Sequence, residues 1–305
     1  MMSDRIIWHK LEELYAGAKT RAVIIAPFIK LPLFEAVVSA IPRSVEDVVC
    51  VTRWSATEVA AGVSDPEVLE AAENDGRVTV RLCHSLHAKI YIADDRALVG
   101  SANLTRKAVG KSTESNIEIL VQEPADHPEV SEAAHSALSE SVLATKDAAL
   151  AVRMLANQMA GCGVGLMPVG ALGAGLSMNW YPRTRRPKIL FRVYRGDVKG
   201  IIGDSRQDAL VDLAFLDIAP GLSEEIFSKA ICNRLYAFRE IAELLQSGSL
   251  TSDSLQRALQ SSSLDDGVDP RIRADTFARW LLQFDPTLLQ VPTGKYEIRR
   301  AIDLT

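Results

Sequence analysis

The chain has 305 residues, of which 48% are hydrophobic and 24% are charged, with a formal net charge of −5 at pH 7. This composition excludes a disordered or fibrous protein and predicts one large or two modest globular domains. The four cysteines lie far apart, with no C-x-x-C pair and no metal-ligand spacing, so we expect a cytoplasmic protein without disulfides, metal or cofactor. The mild acidity argues against nucleic-acid binding over the whole surface, but it allows a local basic groove.

The first 125 residues alternate between strand and helix patterns. Buried strands are predicted at RAVIIAPFI, VEDVVCVTRW and RVTVRLC, with helices at KLPLFEAVVSAI and DPEVLEAAEND between them. Three more strand-like runs follow, HAKIYIA, RALVGS and NIEILVQ, of which the first two form a hairpin across Asp94 and Asp95. One long helix is predicted from His127 to about Met159. The alternation predicts a layered α/β domain over residues 1–160.

Residues 154–182 carry no charge and are long enough to be weighed as a membrane span. Their many glycines, Pro168 and weak apolar character instead favour a Gly-rich loop or connector. We therefore assign residues 161–187 to a connector that is first Gly-rich and then basic. Residues 188–305 are assigned to a mostly helical C-terminal domain.

Three amphipathic helices and a hairpin are predicted in the C-terminal domain. The helices are GLSEEIFSKAICNRLYAFREIAELLQSG, TSDSLQRALQSS and DPRIRADTFARWLLQF, and the hairpin is LLQVPTGKYEIRR. This order resembles a winged-helix module and would fit a nucleic-acid-binding role. Many helical subdomains with no DNA role share the same order, so that alternative stays open.

The segment HAKIYIADDRALVGSANLT concentrates residues that could act together on one phosphate. Within seventeen residues it contains His87, Lys89, Asp94, Gly100, Ser101 and Asn103. Side chains alternate along a strand, so His87 and Lys89 would share a face, and pairing with the return strand would bring Ser101 and Asn103 to the same patch. Gly100 would let an incoming group approach the backbone. A neutral imidazole is a nucleophile at pH 7, and the ammonium and amide groups can stabilise phosphate oxygens, so a phosphodiester is the predicted substrate and no metal is required.

These residues resemble the HxKxxxxD…GSxN signature of the phospholipase D superfamily. His87, Lys89 and Asp94 are in register, and GSAN follows after five residues where many members have six. The resemblance covers about residues 20–122. It implies a phospholipase D-like layered α-β-α domain, followed here by the mainly helical C-terminal domain.

The resemblance also implies roles for the residues of the motif. His87 would attack phosphorus to form a phosphohistidine intermediate, while Lys89 and Asn103 bind the phosphate. Ser101 would help to position the phosphate, and Asp94 would organise the turn.

Two further features of the family apply to this chain. A glutamate just before the next strand holds the histidine in single-motif members; Glu114 is preferred for this role by position, and Glu118 is its rival. The mechanism uses two histidines, one as nucleophile and one as general acid, but this chain has one His-x-Lys motif. A homodimer with two facing sites is the simplest inference, and a hetero-partner with its own motif is the less economical one.

Basic residues in two regions are predicted to contact nucleic acid. Arg53 follows a strand at the end of the sheet where ligands gather, and a run after Trp180 mixes cations with aromatic rings that could stack on bases. The predicted contacts are Arg53, Arg106, Lys107, Arg183, Arg185, Arg186, Lys188, Arg192 and Arg195. The alternative is a solvated basic face whose rings belong to the core.

The sequence therefore predicts a cytoplasmic, homodimeric and metal-independent phosphodiesterase or endonuclease. Its partner would be single- or double-stranded DNA and not a membrane, in DNA processing or phage defence, with a larger complex as a further option. One alternative is a catalytically silent or partner-gated nucleic-acid-binding subunit. The other is a lipid phosphodiesterase, which is disfavoured because such enzymes usually carry both motifs in one chain.

Overall fold

A computed structural model of the chain describes residues 6–161, 180–238, 241, 246, 250–260, 268–291 and 297–300. The chain divides into two compact units, Met1–Arg153 and Met154–Thr305. Most of the Gly-rich stretch, and with it most of the predicted connector, lies outside the described residues. Within the described part, no helix is both long enough and apolar enough to cross a membrane.

The first unit alternates helices and strands. In chain order its elements are α1 (Ile6–Ala16), β1 (Arg21–Ile25), α2 (Leu31–Ala40), β2 (Asp47–Thr52), α3 (Ala56–Ala60), α4 (Val68–Asp75), β3 (Val78–Leu82), β4 (Ile90–Ala93), β5 (Arg96–Gly100), β6 (Leu120–Pro124), α5 (Pro128–Ser139), β7 (Val142–Leu143) and α6 (Lys146–Gly161). The predicted strands and the helices α2 and α4 are present, whereas α1 and α3 were not predicted.

A seven-stranded sheet forms the middle layer of this unit, in the order β6-β5-β4-β1-β2-β3-β7. The strands β1, β2 and β3 are parallel, and the others pair with their neighbours in antiparallel fashion. Alternate residues of β1 face opposite cores: Ala22 and Ile24 pack with α1, α2 and α4, and Val23 and Ile25 pack with α5. Helices therefore cover both faces, which confirms the layered α-β-α fold.

The prediction of one helix from His127 to Met159 is wrong, because a short strand divides it. α5 ends at Ser139, and β7 then pairs with β3. Arg81 fixes this crossing by donating to the Oγ and carbonyl oxygens of Ser141, at 2.7 and 2.8 Å. The hydroxyl of Thr145 then accepts from the backbone N–H of Ala148 at 3.1 Å and begins α6. The residues on both sides of Ser141 and Thr145 have helical spacing, so the sequence pattern did not reveal that these polar residues interrupt the helix.

The second unit combines helices with a small sheet. After a 3₁₀ turn (Pro187–Ile189), its described elements are α7 (Leu190–Tyr194), α8 (Asp204–Leu216), α9 (Glu224–Tyr236), β8 (Leu250–Thr251), α10 (Ser252–Gln260), α11 (Pro270–Phe284), β9 (Leu288–Val291) and β10 (Glu297–Arg300). The strand order is β8-β10-β9, with antiparallel pairs. A strand, two helices and two further strands, of which the last lies in the middle of the sheet, follow one another in an order that resembles a winged helix. The predicted helical C-terminal region is confirmed.

Asp94 organises the β4–β5 turn, as the sequence predicted. It has a positive φ of 55°, and its carboxylate accepts from the backbone N–H groups of Lys19, Thr20 and Arg21 at 2.8 to 3.0 Å. The hydroxyl of Thr20 adds a fourth bond at 2.7 Å. Burial alone would raise the pKa of Asp94, but the bonds from Thr20, Arg21 and Lys19 outweigh it and lower the pKa to about 2.

We expect Asp94→Asn to lower the free energy of unfolding at pH 7 by about 1–2 kcal/mol, because it removes a charge that accepts four bonds at a solvent-screened site. Asn tolerates the positive φ, so the backbone is preserved. The folded-state pKa lies below the ordinary value of 3.8, so the stabilisation is complete well above pH 3.8 and disappears as the pH falls toward 2. Urea unfolding of both proteins over this range measures the effect. A difference that is the same at pH 2 and pH 7 would contradict this assignment.

Candidate active site

Four of the six predicted catalytic residues, His87, Lys89, Ser101 and Asn103, meet at one end of the seven-stranded sheet, whereas Asp94 lies at the opposite end. The carboxyl ends of β1, β2 and β5 lie there, together with the amino ends of the antiparallel strands β4 and β6. His87 and Lys89 precede β4, Ser101 and Asn103 follow β5, and Glu118 precedes β6. The expectation that His87 and Lys89 lie within a strand is therefore wrong, although the backbone N–H of Gly100 still donates to the carbonyl of Lys89 at 3.2 Å. The strand directions bring these side chains to one place.

Gly100 is required by its own sheet. A Cβ atom on this residue would lie 1.9 Å from the carbonyl oxygen of Ile119 and 2.8 Å from its carbonyl carbon. The next N–H, from Ser101, donates to that same carbonyl at 3.0 Å. The sequence correctly predicted a close approach at Gly100, but the approaching group is the segment leading into β6 and not a ligand.

The imidazole of His87 and the ammonium of Lys89 lie next to each other. His87 is exposed, whereas Lys89 is only 9% exposed and donates from Nζ to the carbonyl of His87 at 2.7 Å. The Lys89 ammonium, partial burial and the Arg53 guanidinium lower the pKa of His87 below 6.5. Its imidazole is therefore neutral at pH 7 and has a lone pair available for attack.

Ser101 and Glu118 form the second half of the cluster. The hydroxyl of Ser101 donates to the carboxylate of Glu118 and accepts from the backbone N–H of Ile119 at 3.1 Å. Asn116 donates its amide to the other carboxylate oxygen at 3.1 Å. Burial lowers the pKa of Lys89, and the negative charge of Glu118 opposes this shift. The carboxylate therefore fixes the serine hydroxyl and balances the buried lysine.

The structure places Glu118, and not the preferred Glu114, in the cluster. Among the described residues neither carboxylate makes a hydrogen bond to His87, so a glutamate that holds the histidine stays a prediction. The side chain of Glu114 is 85% exposed, and its carboxylate pairs with Lys107 at 3.7 Å. Glu118 lies inside the predicted strand NIEILVQ, but β6 begins only at Leu120. Glu118 therefore lies just before the strand and not within it.

Asn103 is held by the chain segment that follows β1. Its Oδ1 accepts from the backbone N–H of Phe28 at 3.3 Å, and Leu104 pairs with the same residue through a 3.1 Å bond from its N–H to the Phe28 carbonyl. With Oδ1 occupied, the amide NH₂ is the group of Asn103 that can bind a phosphate oxygen.

Arg53 lies beside the cluster but is already engaged in a salt bridge. Its Nε donates to Glu58 at 3.1 Å, Nη2 contacts the same carboxylate, and Nη1 donates to the carbonyl of Leu86 at 3.1 Å. It therefore holds the backbone next to His87, and its charge contributes to the lowered pKa of His87. The sequence analysis missed Glu58, whose signal was an acid in the first turn of a short helix directly after β2. Phosphate contact by Arg53 stays a prediction.

The other predicted nucleic-acid contacts are exposed cations. Arg106 and Lys107 follow Asn103, and the second unit exposes Arg183, Arg185, Arg186, Lys188, Arg192 and Arg195. The expected stacking rings do not share this exposure: Trp180, Tyr181 and Tyr194 are buried, and Phe191 is partly buried. The ring-stacking prediction is therefore wrong, because these rings pack with one another and with neighbours in the core of the unit.

Comparison with known proteins agrees with this arrangement. A family model described as "Cardiolipin synthase, PLD-like domain" matches residues 13–158. This part of the chain belongs to the phospholipase D superfamily. No curated protein matches the chain at a significant level.

Several solved structures resemble the chain at low similarity. NucT from Helicobacter pylori is 18% identical, with a TM-score of 0.36, over 46% of this chain and 92% of that one. Nuc from Salmonella typhimurium, a phospholipase D family member, is 20% identical, with a TM-score of 0.36, over 48% and 95% of the two chains. TrmBL2, an archaeal chromatin protein described with a novel mode of DNA binding, is 15% identical, with a TM-score of 0.30, over 45% and 48%. Likeness at this level does not bear on the substrate.

We expect Lys89→Met to raise the pKa of His87 toward 6.5, because it removes the largest cause of the lowered value. NMR titration of protein labelled at histidine carbons measures this pKa directly and needs no substrate. Lys188→Met, which removes an exposed cation of the second unit, is the matched control and should leave His87 unchanged. A wild-type pKa of 6.5 or above, or a value that Lys89→Met does not move, would contradict the electrostatic account.

Proposed function

We propose that this chain is a metal-independent endonuclease, which cleaves DNA through a phosphohistidine intermediate at a site shared by two copies of the chain. The observation that carries the proposal is the exposed His87 imidazole, with its lowered pKa, beside the buried ammonium of Lys89. A nucleophile next to a cation at the end of an open sheet is suited to attack on a phosphodiester.

The proposed reaction has two steps. A ring nitrogen of the neutral His87 attacks phosphorus, and the phosphorus–oxygen bond to one strand breaks. The leaving oxygen takes a proton from the histidine of the second copy, which enters the step as an imidazolium because the negative charge of the bound phosphate favours its protonated form. Water then attacks phosphorus, gives a proton to that second histidine and releases His87. Lys89 and the amide of Asn103 stabilise the non-bridging oxygens, and Ser101, fixed by Glu118, positions the phosphate.

An exposed apolar stripe supports the shared site. Ile117 is fully exposed, Ile119 is 60% exposed and Val121 is 44% exposed. These residues alternate along the chain on either side of Glu118, and β6 is an edge strand of the sheet. Apolar side chains on an open edge beside a catalytic group are typical of an interface, and two-fold symmetry would bring two copies of the site together.

The winged-helix topology of the second unit supports DNA as the substrate. In such modules the second of the two central helices enters the major groove, and here that helix is α11, which exposes Arg271 and Arg279. The exposed arginines and lysine that follow Trp180 are proposed to contact phosphates without reading sequence. A place in DNA processing or phage defence, and in a larger complex, is proposed by analogy with other single-motif members.

We expect the purified protein to cleave plasmid or single-stranded DNA in excess chelator, and His87→Asn to abolish cleavage. Glu118→Gln should reduce the rate at least about 10²-fold, as loss of a group that organises catalysis does. Glu114→Gln, the matched substitution four residues earlier, should stay near the wild-type rate. Gel assays with both substrates measure these rates.

Three outcomes would overturn the proposal. Binding without cleavage would favour a partner-gated nucleic-acid-binding subunit. Turnover of phospholipid vesicles with no action on DNA would favour a lipid phosphodiesterase. Cleavage that stops in chelator would remove the metal-independent mechanism.

In a further experiment, equal amounts of wild-type and His87→Asn chains are mixed, unfolded and refolded together. We expect the mixture to retain about one quarter of the activity, since only that share of random dimers has two intact histidines. Independent sites would retain about half.

The double variant Ile117→Asp/Ile119→Asp should sediment as a monomer. Ile202→Asp, at an 81% exposed residue of the second unit, is the control and should not. A wild-type protein that is a stable monomer would exclude the shared site.

A further inference from the structure

A cavity of about 250 Å³, lined by both charged and apolar side chains, lies within the second unit, among residues outside the catalytic cluster. Its lining includes Tyr181, Arg183, Arg185, Asp208, Arg273 and Thr276. Three guanidinium groups against one carboxylate give the cavity a net positive charge, so its ligand is expected to be an anion.

The segment that carries two of these arginines is held rigidly. The carboxylate of Asp212, which has no exposed surface, accepts from Trp180 Nε1 and from the backbone N–H groups of Arg183 and Thr184, at 2.8 to 3.1 Å. It also accepts from the Thr184 hydroxyl at 2.6 Å, and Trp280 Nε1 donates to the Thr184 carbonyl at 2.8 Å. Thr184 is thereby buried, while the arginines on either side of it are exposed at the cavity.

The charged groups of Arg183, Arg185 and Asp208 can contact a ligand. Among the described residues their side chains make no hydrogen bond or ion pair, although the charges of the two arginines act on the Asp208 carboxylate. Arg273 comes from α11, is 5% exposed, and places its guanidinium 4.9 Å from the centre of the Tyr181 ring. The buried guanidinium of Arg273 is held in place before a ligand binds, so it loses little freedom on binding, which favours affinity.

The chemistry of the lining defines the ligand. Guanidinium groups bind phosphate with two parallel hydrogen bonds, so the arginines fit a phosphate ester. The carboxylate of Asp208 repels a bare anion but accepts from N–H donors, and the apolar side chains of Val268 and Ile272 can contact the face of a base. The volume lies just below the usual range of about 300–1,000 Å³ for small-molecule sites, which matches a single nucleotide and not a strand.

We propose that this cavity binds a nucleoside 5′-phosphate, either free or as the phosphorylated end of a nucleic-acid strand. The inference does not depend on the proposed nuclease activity, because no catalytic residue lines the cavity.

Calorimetry on the full chain with AMP, GMP, ribose 5-phosphate and inorganic phosphate tests the proposal. The nucleotides are expected to bind at least about tenfold more tightly than inorganic phosphate, and the double variant Arg183→Gln/Arg185→Gln should weaken them at least about tenfold. Arg186→Gln/Lys188→Gln removes the same charge from exposed neighbours that do not line the cavity, and it should change affinity by no more than about twofold.

Two further arms identify the ligand more closely. Asp208→Asn should reduce the preference for GMP over ribose 5-phosphate, because it weakens the acceptor for the base. An oligonucleotide with a 5′-phosphate is compared with its 5′-hydroxyl form: a preference for the phosphate shows capture of a strand end, and binding of mononucleotides alone shows a free ligand. His87→Asn should bind AMP, GMP and ribose 5-phosphate as the wild type does, so loss of cleavage and loss of this site are distinguishable.

Three results would overturn the proposal. Equal weakening by the two double variants would show a diffuse basic surface. Inorganic phosphate binding as tightly as the nucleotides would show a simple anion site. The absence of binding by any probe at millimolar concentration would exclude the site.

Discussion

The contact between Gly100 and the backbone of Ile119 is the constraint on which the catalytic cluster depends. No side chain fits at Gly100, because its Cβ would overlap the Ile119 carbonyl oxygen. This close approach lets the N–H of Ser101 reach the same carbonyl and lets the Ser101 hydroxyl lie between the N–H of Ile119 and the carboxylate of Glu118. Two segments that lie 18 positions apart in the chain are thereby joined by hydrogen bonds. Glu118 enters the cluster through this junction.

The charges around His87 are arranged in two pairs. Lys89 is buried, and Glu118 partly offsets the cost of that burial. Arg53 pairs with Glu58, whose side chain is 6% exposed, and holds the carbonyl of the residue before His87. Removing one member of a buried pair typically costs about 3–5 kcal/mol, so Glu58, whose partner Arg53 acts on the histidine, contributes to stability. The positive charges of Lys89 and Arg53 lower the pKa of His87, and they thereby keep its imidazole neutral with a free lone pair.

Aromatic residues form the core of the second unit, while the cations from Arg183 to Arg195 lie at its surface. The rings of Trp180 and Trp280 meet at 5.8 Å with their planes at 70°. Both indole N–H groups are satisfied, one by Asp212 and the other by the Thr184 carbonyl. Burial raises the pKa of Asp212 to about 7 although several donors oppose the shift, so the carboxylate that fixes this segment is itself poised to change charge near neutral pH. An acid whose folded-state pKa is raised lowers stability as the pH rises from about 4 to 7.

The sequence by itself determined the layered α-β-α fold, the turn role of Asp94 and the residues His87, Lys89, Ser101 and Asn103. These depend on hydrophobic periodicity and on short spacings within one hairpin, which are properties of the chain alone. Only the tertiary structure selected Glu118 over Glu114, because the start of β6 is set by its pairing with β5. Tertiary structure also assigned the rings after Trp180 to a core, and it brought Arg53 to Glu58 and Arg183 to Asp208. Burial and cross-element contacts decide these points, and neither is encoded in the local order of residues.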